Sequence, residues 1–459
     1  MPHAIRRALL LAALLLAPNL LRAQRPSRAV LVARIDSLTQ AMMAEEHVPG
    51  VSVAVLRGQD TIRLRGYGMA DVENSVPAST ETVYRIGSIT KQFTALIILQ
   101  LAREGRLSLD DTLQKFVPSF PTPGRRITVR NLLNHTSGIP NYTSIGRAWL
   151  SRVTLNLDHD SLLALVKDLP PDFAPGEQFR YDNTGYYLLG MVIESVTGHR
   201  YADEVATRIT GPLHLGSTMY CGTRQLIPHR AQGYTTDSGN TVTNASYLDM
   251  GQPFAAGALC STTRDLLVWH RALSTDALSP LSYEMMSASG QTNHGRPTGY
   301  GMGLAPGDLS GHRRISHSGG IYGFSTDLAN YPDDSLVIVV LANSEDANAT
   351  RLSVRIARAA LGIPEPVVRD LPLSAADRAR FEGSYRLTDA LTLRVFSQGD
   401  SLMSQATGQS SFRLLYQGER EFRPSFDNNV RVVFEVDASG RATTLILYQG
   451  GERRAPRVN

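Results

Sequence analysis

The sequence predicts an α+β fold: a mostly antiparallel sheet with flanking helices and an inserted helical region, then a small C-terminal antiparallel β-barrel. Three observations carry this. Apolar runs of strand length stand at both ends of the first 362 residues, with a helical, loop-rich stretch between them. The turn Gly58-Gln59-Asp60 is too tight for a crossover, so the strands it joins run antiparallel. After a proline-containing stretch, short alternating runs recur to the C-terminus, the pattern of a small barrel or sandwich.

The chain opens with a secretory signal over residues 1–23. Arg6 and Arg7 make its charged part, residues 8–17 its apolar part, and Leu21-Arg22-Ala23 its cleavage site. That run is too short to span a bilayer and no later segment is long enough, so no transmembrane anchor is expected. No cysteine near the cut would carry a lipid. Cleavage near Ala23 would leave a periplasmic or secreted protein. Leu31, Ile35, Leu38 and Met42 then recur at helical spacing, in a helix ending near Gly50. Segments 51–56 and 61–66 form the hairpin. Residues 93–102 are almost wholly apolar and read as a helix buried on most sides, stopped at Gly105. The helical middle runs over about residues 107–273. In it, Thr262 and Asp265 form a capping box for a helix over 265–273. Strands return at 314–317, 323–331 and 335–342, and 347–361 reads as a closing helix. Residues 24–362 thus form one domain, 363–373 with three prolines a linker, and 374–459 the barrel, with strands at 391–396, 412–416, 430–436 and 443–448.

Composition excludes several functions. With 42% hydrophobic and 19% charged residues the chain is an ordinary globular protein. The net charge of +4 is small for 459 residues, and no basic run interleaved with aromatics suggests nucleic acid. The 11 histidines form no metal-ligand motif such as His-Glu-x-x-His, so neither metal nor cofactor is expected. There is no Gly-x-Ser-x-Gly elbow either. Cys221 and Cys260 either pair or stay as two buried thiols. Export favours the disulfide, which would close a loop of about 40 residues and contribute about 2–4 kcal/mol.

The chemistry gathers at Ser88-Ile89-Thr90-Lys91. Residues three apart share a helix face, so the Lys91 amine can reach the Ser88 hydroxyl. A serine is a weak nucleophile until a base takes its proton, and a desolvated lysine can lose its own proton near neutrality. An arginine cannot. A surface serine beside a surface lysine would spell the same pattern. Composition argues against that, because 43 of the 46 basic residues are arginine and the only lysines are Lys91, Lys115 and Lys167. Ser88 at a helix N-terminus would also meet the positive end of the macrodipole, which favours an oxyanion.

Two further stretches fit this chemistry. In Tyr181-Asp182-Asn183, the tyrosine could shuttle a proton if nearby cations lower its pKa, and the Asn183 amide could hold a substrate amide. Alone, the stretch would read as a turn with a buried aromatic. In His317-Ser318-Gly319-Gly320, the glycines permit close backbone approach. The Gly320 amide could then join that of Ser88 as an oxyanion hole, and His317 could tune the local field.

Ser88/Lys91, Tyr181/Asn183 and His317/Gly319, in that order, resemble the serine β-lactamase and penicillin-binding-protein superfamily. The nearer likeness is to its class C β-lactamase branch, with DD-peptidase, esterase and D-aminopeptidase relatives. Residues 127–140, around Asn134-His135-Thr136-Ser137-Gly138, and Ala256-Gly257-Ala258-Leu259 are similar to that branch as well. The resemblance covers about residues 27–362 and implies a β-lactamase/transpeptidase-like fold. It implies Ser88, Lys91 and Tyr181 as catalytic residues, with either Lys91 or Tyr181 as base, and an acyl-enzyme released by water. Asn183, His317, Gly319 and Gly320 would bind substrate.

One position departs from the pattern. In β-lactamases and carboxypeptidases of the superfamily, a hydroxyl residue follows the third-motif glycine and grips the substrate carboxylate; here it is Gly320. Losing a hydrogen bond to a charged group costs about 1.5–3 kcal/mol. The expected substrate is therefore a small ester, amide or peptide lacking that carboxylate, of cell-wall origin or otherwise. The alternatives are a β-lactamase or DD-carboxypeptidase acting on D-Ala-D-Ala-like substrates, and a non-catalytic receptor for peptidoglycan fragments or antibiotics.

Overall fold

The computed structural model describes residues 26–458, apart from 123, 238, 389–390, 408–410, 426–429 and 449–451. The signal expected over 1–23 lies outside the described residues. Among them, no helix is long and apolar enough to cross a membrane.

The frame is a seven-stranded, fully antiparallel sheet. Its strands are β1 (Gly50–Arg57), β2 (Asp60–Asp71), β3 (Val76–Pro77), β9 (Ala305–Leu309), β10 (His312–Ile321), β11 (Phe324–Tyr331) and β12 (Leu336–Ala342), in the order β3-β2-β1-β12-β11-β10-β9. Strands from the two ends of residues 26–362 therefore meet at its centre, where Val51 pairs with Ala342 and Arg57 with Leu336. The two-residue period sorts side chains to two faces. Val51, Val53, Val55, Ile338 and Val340 pack with Leu31, Ile35, Leu38 and Met42 of the N-terminal helix (Arg28–Glu45) and with Leu352 and Ile356 of the closing helix (Ala349–Leu361). Ala54, Val339 and Leu341 face the other way, in the cluster built on the helix Thr90–Arg103. Burial on both faces is why β12 reads as an unbroken apolar run.

The helical middle also holds strands too short to show a period: β4 (Tyr84–Arg85), β5 (Met219–Tyr220), β6 (Tyr234–Thr236), β7 (Val242–Asn244) and β8 (Leu259–Ser261). β8 lies between β4 and β5, and a disulfide joins Cys221 to Cys260 with Cα atoms 5.3 Å apart. β9 escaped notice because Pro306 and Gly307 interrupt it. The expected capping box is only half formed. Thr262 accepts from the Asp265 N–H, but the Asp265 carboxylate accepts from the Ser217 N–H and the Thr218 hydroxyl (both 2.9 Å) rather than reaching back.

The C-terminal strands are β13 (Gly383–Thr388), β14 (Leu391–Gln398), β15 (Ser401–Ala406), β16 (Ser411–Gly418), β17 (Glu421–Pro424), β18 (Arg431–Val436), β19 (Ala442–Tyr448) and β20 (Glu452–Val458). They close into a barrel. Phe381, at the end of a short helix (Ala375–Phe381), packs on Phe422 and Phe434 with ring centroids 5.0 Å apart. Four of these strands match the expected runs. Of the others, β15 and β20 hide behind small or polar inward positions, Ser404 and Ala406 in β15 and Ala455 in β20. The end of the stretch read as a linker is tied to β16: the Leu371 N–H donates to Tyr416 O (3.0 Å), and Gln417 bonds both backbone groups of Arg369.

Candidate active site

Ser88 lies in a single 3-10 turn (Gly87–Ile89), one residue before the helix Thr90–Arg103. Gly87 has φ +50, and a Cβ there would come 3.1 Å from the Gly320 nitrogen. Only glycine therefore lets the nucleophile turn press against β10.

Three groups meet the Lys91 amine: Ser88 Oγ at 3.0 Å, Asn183 Oδ1 at 2.8 Å and the Ala256 carbonyl at 2.8 Å. The last two can only accept. A neutral lysine amine has two N–H bonds and one lone pair. If both hydrogens go to these acceptors, the lone pair is left for the Ser88 hydroxyl. Lys91 is fully buried, and burial lowers its pKa to about 7, opposed by the charge of Asp182. After it takes a proton, the ammonium faces the rings of Tyr181 and Tyr186, with centroids at 4.9 and 5.4 Å, which favour a cation.

The condition set for Tyr181, a pKa lowered by nearby cations, is not met. Burial raises its hydroxyl well above the ordinary value, and Ser88 offsets only part of this. The hydroxyl has no hydrogen-bond partner among the described residues. A phenol held neutral at pH 7 is a poor base, and it can pass a proton on only as it takes one up from a neighbour.

Asn183 is partly committed within the protein. Its oxygen accepts from Lys91, and its nitrogen donates to Thr143 Oγ1 (3.0 Å). It positions the amine. His317 is also committed within the protein: Nε2 accepts from the Tyr300 hydroxyl (2.9 Å), and Nδ1–H donates to the Ser318 carbonyl (2.6 Å). Burial and the nearby Lys91 lower it to about 3, so it stays neutral and brings no charge to the site. At Gly319 a Cβ would fall 2.1 Å from the Ile86 carbonyl oxygen, a backbone contact that cannot yield. At Gly320 a Cβ would meet nothing within 4 Å.

Two contributors were not singled out in the sequence. Asp182 caps the helix Asn183–Thr197 by accepting from the Thr184 (2.7 Å) and Gly185 (2.9 Å) N–H groups. Burial raises its carboxyl, against these backbone bonds and Lys91. An aspartate just before an apolar helix is a capping signal that could have been read. His135 accepts the Asp182 N–H at Nδ1 (3.1 Å), and its carbonyl accepts from the Arg180 N–H (3.0 Å). It thereby brackets Tyr181. Beside Ser88 opens a cavity of about 190 Å³, lined by Gly87, Asn183, Ala256 and Gly320 and walled by Tyr142, Trp149, Leu248, Ile321 and Tyr322. No charged side chain lines it. Among the described residues no cluster of His, Cys, Asp and Glu could hold a metal ion.

The Beta-lactamase family model matches residues 35–362. Penicillin-binding protein 4* of Bacillus subtilis (strain 168) is 31% identical over 445 residues, covering 91% of this chain and 96% of that protein. Protein flp of Staphylococcus aureus (strain COL) is 31% identical over 319 residues, or 68% of this chain and 62% of its own length. Among solved structures, the D-stereospecific amidohydrolase from Streptomyces sp. is similar with a TM-score of 0.62 at 32% identity, over 73% of this chain and 98% of that one. The octameric penicillin-binding protein homologue from Pyrococcus abyssi has a TM-score of 0.66 at 27% identity, over 92% and 99%.

Proposed function

Because the chain belongs to the Beta-lactamase family, we propose that it is an exported serine hydrolase cleaving ester or amide bonds through a Ser88 acyl-enzyme. The observation that carries this is the Lys91 amine, buried and held by two acceptors with its third direction on Ser88 Oγ. In the reaction, Lys91 takes the hydroxyl proton as Oγ attacks the carbonyl carbon. The Ser88 and Gly320 amides hold the oxyanion. The C–O or C–N bond then breaks, the leaving group takes a proton from Lys91 or through the neutral Tyr181 hydroxyl, and water later cleaves the acyl-enzyme. Because burial keeps its hydroxyl neutral, Tyr181 fits the part of a relay, taking a proton from the Lys91 side as it gives one to the leaving group.

The cavity favours apolar or aromatic atoms in the part of the acyl group nearest Ser88, because three aromatic rings and two aliphatic side chains wall it. The likeness to a D-stereospecific amidohydrolase adds D-aminoacyl amides to the substrates worth testing. The likeness to penicillin-binding protein 4* favours the second reading, action on D-Ala-D-Ala-like compounds. A panel of a short-chain p-nitrophenyl ester, a D-amino-acid amide, a chromogenic cephalosporin and a D-Ala-D-Ala peptide separates the readings.

Two outcomes follow from the geometry. Acylation by a fluorophosphonate should be slow at acid pH, where Lys91 is an ammonium, and rise through an apparent midpoint near pH 7 as the free amine forms. A rate that is flat across that range would remove Lys91 as the titrating base. Gly320→Ser fits sterically. It should raise the ratio of kcat/KM for a cephalosporin over that for a simple ester by up to roughly tenfold per 1.4 kcal/mol regained. Wild-type protein that hydrolyses the cephalosporin or the D-Ala-D-Ala peptide faster than the ester would refute the reading of Gly320.

A further inference from the structure

Arg85 is a half-buried cation for which no carboxylate partner stands nearby among the described residues. It stands in β4, paired with Cys260, and its guanidinium lies 5.8 Å from the centroid of the Phe324 ring. The neighbouring charge is another cation, Arg230; only Tyr247 favours the charged form. The backbone explains the meeting. Val83 pairs in parallel with Arg230, its N–H donating to His229 O and its carbonyl accepting from the Ala231 N–H, both at 2.9 Å. Directly paired residues project to one side, and residues two apart on a strand share a face, so Arg230 and Arg85 are diagonal neighbours. A cation drawn out of water beside a like charge is destabilising unless an anion joins it.

The pair adjoins the cavity at Ser88. Gly87, two residues after Arg85, lines that cavity; so do Ile321, the strand partner of Phe324, and Leu248, the neighbour of Tyr247. We propose that Arg85 and Arg230 form an anion subsite behind this wall, which takes a carboxylate carried by the substrate several bonds from the reacting carbonyl. The inference rests on acyl transfer at Ser88 and adds a substrate class, esters or amides whose acyl chain ends in a carboxylate. It concerns a position remote from the one that Gly320 leaves without a hydroxyl.

The p-nitrophenyl esters of hexanoic acid and of adipic acid (as the monoester) have equal chain lengths and differ by one terminal carboxylate. The ratio of kcat/KM for adipate over hexanoate should fall about tenfold in Arg85→Gln and about threefold in Arg230→Gln. In the wild type it should fall as salt screens the attraction. The ratio cancels any damage common to both esters. Arg230 is exposed, so its variant keeps the test alive if Arg85→Gln does not fold. Calorimetry of adipate with Ser88→Ala should show binding that Ser88→Ala/Arg85→Gln lacks. This readout needs no turnover, so a failure of acyl transfer at Ser88 and a failure of the subsite give different results. A ratio unchanged in both variants, or adipate binding unaltered by Arg85→Gln, overturns the proposal.

Discussion

Replacing Ser88 with alanine is expected to lower turnover about 10⁴-fold or more while the protein stays folded, because among the described residues the Lys91 amine meets no other hydroxyl. The substitution removes one half-buried oxygen and leaves the backbone turn and its amides in place, so thermal unfolding should hardly move. Intact-mass measurement after fluorophosphonate treatment should show one adduct on the wild type and none on the variant. Labelling that persists in Ser88→Ala would place the nucleophile elsewhere.

Lys91→Arg is expected to be nearly as damaging as Lys91→Ala, each by several orders of magnitude in the acylation rate. Burial holds the lysine near the point where it gives up its proton, whereas a guanidinium keeps its charge at any accessible pH. Arginine would also carry a larger head into a space closed by Asn183 and Ala256. Lys91→Met, of similar length and uncharged, serves as the folded control. Should Lys91→Arg keep most of the acylation rate, lysine is only an electrostatic element. Tyr181 would then have to act as base despite a hydroxyl that burial disfavours ionising.

Local spacing made part of this site legible. Ser88 and Lys91 sit three residues apart, and one helical turn joins them. The longer strands of the large sheet, though not β3 and β9, were legible for the same kind of reason, since Val51, Val53 and Val55 repeat at the period of a strand. The acceptors that shape the amine were not. Asn183 is 92 residues from Lys91 and Ala256 is 165 away, and one of the two acts through a backbone carbonyl that no side-chain pattern encodes. The ionisation of Tyr181 and the protein partners of Asn183 were not legible, for one reason. Both depend on burial, which is a property of the packed protein. His317 likewise carries a motif position while its ring is spent on Tyr300 and Ser318.

The closed barrel has a bearing on how copies of this chain meet. β13 pairs with β20, so among the described strands that sheet presents no row of unpaired amides and carbonyls to another molecule. Apart from the short strands β4–β8, the margins that remain are those of the seven-stranded sheet. One margin, β3, is two residues long and ends in Pro77; the other, β9, carries Pro306 at its second position. Proline cannot donate to a neighbouring strand, and a two-residue strand offers almost no template. Where β3 and β9 form them, the margins thus discourage the edge-to-edge growth by which sheet proteins become fibres.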